Sequence, residues 1–99
     1  MGLTPDAAGA LISELNRRID ALRAGRYEGR DKAGLAAVKV DGDGIVCDVT
    51  LSKTISRYRS DAVAEAVREA VQAAQLSLAQ AYGTLAAEAE KLAAEDSDG

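Results

Sequence analysis

Four short stretches of this 99-residue chain hold residue types that carry chemistry, and spacing decides what each can do. Gly29 and Gly34 bracket four residues, as in a loop whose backbone N–H groups cradle phosphates. Such a loop needs Lys and then Ser or Thr directly after the second glycine, and here Leu35 and Ala36 follow. Gly42-x-Gly44 opens like a dinucleotide fingerprint, yet Cys47 stands where the third glycine belongs. Asp41 and Asp43 begin like a calcium loop, but Ile45 fills the next ligand position and the glycine that should follow is missing. Asp41-Gly42-Asp43-Gly44 therefore reads as a turn, and no metal or cofactor site is expected.

Nucleophilic and acid–base chemistry fare no better. The chain has no histidine. Its lone cysteine, Cys47, alternates with apolar neighbours and is expected as a buried packing residue, whereas a reactive thiolate needs an electropositive pocket. Glu65 and Glu69, with Arg68 between them, fall on an exposed helix face and read as solvated surface. The three tyrosines are too few and too scattered for a base-stacking platform. No catalytic residue is assigned, and the protein is expected not to be an enzyme.

What chemistry remains is electrostatic. Arg17, Arg18 and Arg23 lie off the apolar seam of a first helix, and Arg26, Arg30 and Lys32 continue from its end. Such a cluster can neutralise several phosphates of a nucleic acid. The alternative is a solvated face balanced by Glu14, Asp20, Glu28 and Asp31. Charge is uneven along the chain: residues 1–60 carry ten Lys or Arg against eight Asp or Glu, whereas residues 61–99 carry two against eight. The net charge of −4 thus combines a mildly basic front with an acidic end.

These residues must be positioned by a few elements. Thr4-Pro5-Asp6 suits a helix start, with Thr4 as N-cap and Pro5 at the first position. Ala8, Ile12, Leu15, Ile19 and Leu22 follow at spacings of four and three, a heptad seam, and Gly25 ends the helix. Arg26–Lys32 is polar and reads as an edge strand pairing with 35–40. Ala36, Val38 and Val40 alternate with Ala37, Lys39 and Asp41. Ile45, Cys47, Val49 and Leu51 alternate with Val46, Asp48 and Thr50. This period of two on either side of Asp-Gly predicts a β-hairpin with a tight primed turn. After a polar connector anchored by Ile55 and Tyr58, Ser60 is expected to cap a second helix, whose Val71, Leu78, Leu85 and Leu92 recur at strict sevens. Residues 96–99 read as an acidic, disordered tail to a single domain spanning 1–95.

A helix from Ser60 to Leu92 would be about 50 Å long, far beyond the radius of gyration of about 13 Å expected for a compact chain of this size. Its seam would overhang the sheet and meet water unless another chain covers it. The core is also thin, because the apolar residues are mostly Ala and Val, with no Trp or Phe. A homodimer is expected, through Ile12, Leu15, Ile19, Val38, Val40, Ile45, Val49, Leu78 and Leu85. No run is long and apolar enough to span a membrane, one cysteine allows no internal disulfide, and a cytoplasmic location is expected.

The order of helix, edge strand, hairpin and long Ala-rich helix resembles the YbaB/EbfC family of nucleoid-associated proteins. The resemblance is carried by Ala33-Gly34-Leu35-Ala36-Ala37-Val38-Lys39-Val40-Asp41-Gly42 and by Ala62-Val63 through Gln75, and covers residues 11–85. It implies an α+β protomer of order α-β-β-β-α, with a three-stranded antiparallel sheet and two long helices, dimerising through its sheets with the helices projecting like tweezers. It also implies cytoplasmic, nucleoid-associated binding of double-stranded DNA with low sequence specificity. The chain departs from the family in a shorter N-terminus and a non-basic C-terminal part. Relatives of the family resemble accessory proteins of type VII secretion systems, which implies the alternative of a protein-binding adaptor that holds a partner helix and no DNA.

Overall fold

A computed structural model describes residues 5–97. Helix α1 spans Pro5–Ala24, strands β1, β2 and β3 span Tyr27–Arg30, Ala36–Val40 and Val46–Leu51, a 3-10 turn covers Ile55–Arg57, and helix α2 spans Ser60–Ser97. The strands form one antiparallel sheet in the order β1-β2-β3. This is the expected α-β-β-β-α order. Thr4, expected as the first helix's N-cap, lies outside the described residues, as do Asp98 and Gly99. Helix α2 continues through Asp96 and Ser97, into the stretch expected as tail.

Alternation along β2 decides the core. Ala36, Val38 and Val40 point to α2 and are buried, while Lys39 points away. They meet Ala66, Ala70 and Ala74, which recur every four residues and so share one stripe of α2. Small side chains let the helix come very close. A Cβ on Gly29 in β1 would sit 2.1 Å from the Ala74 nitrogen and 2.4 Å from the Ala70 carbonyl oxygen, so only glycine fits beneath the helix.

The turns depart from expectation in one detail each. Gly25 follows α1 without a positive φ, and its N–H donates to the Leu22 carbonyl at 3.2 Å. Its lack of a side chain leaves room for Tyr27, whose hydroxyl donates to the same carbonyl at 2.9 Å. The hairpin loop is longer than a two-residue primed turn. The Gly44 N–H donates to the Asp41 carbonyl at 3.0 Å, Gly44 has φ of 82°, and the Asp41 carboxylate accepts from the N–H groups of Asp43 and Ile45. One Asp side chain thus closes the loop that a second positive-φ residue would otherwise shape. At α2, Asp61 rather than Ser60 supplies the oxygen, taking the Ala62 N–H at 3.0 Å.

The register of β3 corrects the sequence reading most. Lys39 pairs with Asp48, but Val40 pairs with Val46, so Cys47 is the extra residue of a β-bulge. Val46, Val49 and Leu51 consequently lie opposite core residues. Cys47 is exposed rather than buried, its thiol donating to the Lys39 carbonyl at 3.4 Å.

Helix α2 extends well beyond the sheet, giving the molecule extents of 64 × 19 × 15 Å and a radius of gyration of 19.1 Å. The overhang is not bare. Helix α1 runs beside it, with Leu15 and Ile19 facing Leu85 and Ala89 across a groove.

Candidate nucleic-acid interface

Six basic residues were expected to act together, and the fold divides them. Arg17 and Arg18 lie on the middle of α1, where both ion-pair with Glu14, one helical turn earlier; Arg18 Nε stands 3.0 Å from the carboxylate. The other end of the Arg18 guanidinium reaches Glu88 on α2 at 2.6 Å. Arg18 thus clasps the two helices. The Arg18 hydrogen bond holds the Glu14 carboxyl below its ordinary range; desolvation opposes it, and the charge of Arg17 adds a smaller lowering. Such paired guanidiniums have less to offer a phosphate.

The other four lie further along. Arg26 donates to the carbonyls of Ala24 and Gly25 and so closes the end of α1. Arg30 pairs with Glu28 at 2.9 Å on the outer face of β1. Lys32 sits in the β1–β2 turn, where its backbone N–H donates to Glu69 at 2.7 Å while its side chain is exposed. Arg23 lines the α1–α2 groove, and its backbone touches Gly42. Strand β1 separates Arg26 from Arg30 by about 13 Å at about 3.3 Å per residue. The six are thus distributed over α1, the residue before β1, the end of β1 and the β1–β2 turn.

Sequence reasoning missed the connection between β3 and α2. Residues 49–60 contain Lys53, Arg57 and Arg59 and no carboxylate. Arg57 and Arg59 flank Tyr58, and all four side chains are exposed. In the sequence the only signal is an acid-free basic run with no periodicity. Among the described residues, the side chains of Arg23, Lys32, Lys53 and Arg57 make no ion pair or hydrogen bond. Arg59 makes only a 3.8 Å approach to Asp61 between two side chains that are 91% and 82% exposed.

The expected dimer residues also separate. Val38 and Val40 have 0% exposure within one chain, so they belong to the protomer's own core and cannot reach a second copy. Ile45 and Val49 are 63% and 45% exposed, as are Val46 and Leu51 to similar degrees, because α2 lies over β1 and β2 and leaves β3 uncovered. The outer edge of β3 has no neighbouring strand among the described residues. Leu15, Ile19 and Leu85 are half-buried between α1 and α2, Leu78 packs against the core near Gly44, and Ile12 is exposed. Part of the seam reserved for a partner is thus covered by the chain itself.

No group of three or more Cys, Asp or Glu side chains able to hold a metal ion occurs among the described residues. No described helix is long and apolar enough to cross a membrane. No protein-family model matches the chain, and comparison with curated proteins finds no match.

Proposed function

We propose that the protein is a non-enzymatic, nucleoid-associated DNA-binding homodimer of low sequence specificity, like the YbaB/EbfC proteins it resembles. The observation that carries the DNA reading is the set of exposed cations without carboxylate partners on the sheet-bearing part of the chain. Phosphate contacts of this kind position a duplex without reading its bases. The dimer reading rests on β3. An edge strand that exposes Val46, Val49 and Leu51, with exposed Ile45 just before it, beside unpaired backbone groups is a template for another strand, and a second copy offers the same edge. Gel shifts with two duplexes of unrelated sequence test the function, with comparable retardation of both as the expected result. Retardation of neither, or of one alone, would count against it.

A second reading, the protein-binding adaptor, is favoured by the α1–α2 groove. It is an open cleft of about 450 Å³ lined by Leu15, Ile19, Tyr82, Leu85, Ala86 and Ala89 together with Arg23. An apolar helix side chain fits such a groove better than a phosphate does.

A further inference from the structure

We propose that DNA is contacted at the end of the sheet built by the β1–β2 turn and the β3–α2 connection, through Lys32, Lys53, Arg57 and Arg59. This rests on the DNA-binding function proposed above and names its surface. The two segments are fastened together, since the Ser52 N–H donates to the Leu35 carbonyl at 2.8 Å. The connection is also ordered rather than loose. The N–H groups of Ile55, Arg57 and Tyr58 donate to the carbonyls of Ser52, Thr54 and Ile55, and Ile55 packs against the core. Cations on such a frame lose little freedom on binding, which lowers the cost of association.

The nearby acids do not cancel them. Asp31 is buried and accepts the Ala36 N–H at 2.8 Å, Glu69 accepts the Lys32 N–H, and Glu65 pairs with Arg68. Among the described residues, the ion pair to a side chain of the cluster is that of Asp61, which holds Arg59 only at 3.8 Å. On α1, by contrast, Arg17 and Arg18 are both held by Glu14. Exposed Tyr58 adds a neutral donor of the kind that contacts phosphate oxygens, and so does whichever of the Ser52 and Thr54 hydroxyls, 2.9 Å apart, does not donate to the other. The cations come from separate segments and converge on no buried point. They match an extended row of phosphates rather than one small anion.

Anisotropy titrations of a labelled duplex at about 50 mM salt compare the parent with K53A/R57A/R59A and with R17A/R18A/R23A. The first triple variant is expected to bind at least about tenfold more weakly and to flatten the salt slope by about three for each chain in contact; the second is expected to change affinity by less than about threefold. The charge-conserving K53R/R57K/R59K keeps affinity within about threefold if charge is what matters. Circular dichroism and light scattering show whether each variant keeps its fold and mass. A parent that binds while K53A/R57A/R59A binds equally well overturns this surface and leaves the DNA function standing. A parent that binds no duplex overturns the function itself.

Discussion

At Gly29 a single hydrogen stands where any side chain would strike the backbone of α2, and the consequence is measurable. Gly29→Ala should destabilise the protein by about 3 kcal/mol or more in urea unfolding, because the Cβ collides with main chain that has nowhere to move. Gly83 is the counter-example. It lies exposed inside α2 with nothing within 4 Å of a built Cβ, so Gly83→Ala should stabilise by about 0.5–1 kcal/mol. The sequence displays both glycines equally, and only the crossing of β1 by α2 tells them apart. Cys47 teaches the same lesson, since period-two alternation places it in the core, whereas a bulge shifts its register and α2 leaves the whole of β3 exposed. Glu14 offers a pH test. Its folded pKa lies below the unfolded one, so its contribution is present above the unfolded value and is lost as pH falls through the folded value. Arg18→Ala should return the Glu14 midpoint, followed by NMR, toward the ordinary carboxylate range.

Elements were more legible than their register. Alternation and Asp-Gly located β2, β3 and the turn, and polarity located β1 at an edge. What the alternation could not reveal was which strand α2 would leave bare. Because Val38 is fully buried and Val49, its cross-strand neighbour, is about half exposed, the same substitution should act differently at the two. Val38→Asp buries an unpaired charge and should unfold the protein, at a cost of several kcal/mol. Val49→Asp should leave the helical circular dichroism of the protomer intact and halve the mass seen by light scattering. A folded dimer carrying Val49→Asp would remove β3 from the interface. The basic connection was not legible because it has no periodicity, and charge without periodicity acquires meaning only when a fold shows which carboxylates stand beside it.

The whole molecule is an open sheet with a long two-helix arm. The overhang of α2 could be read from its length, but the antiparallel cover supplied by α1 through Leu15, Ile19 and the Arg18–Glu88 clasp could not. That cover weakens the argument for a dimer along the arm and shifts it to β3. A dimer joined there would have a mass of about twice 10.3 kDa and would carry two copies of the basic sheet end. The measurement that bears most directly on the DNA-binding reading is the salt dependence of duplex affinity for the unmodified protein. Four phosphate contacts from each of two chains predict a slope of log affinity against log salt of about −7, the same for unrelated duplexes. An affinity that does not change with salt, or no binding at about 50 mM salt, would contradict the account.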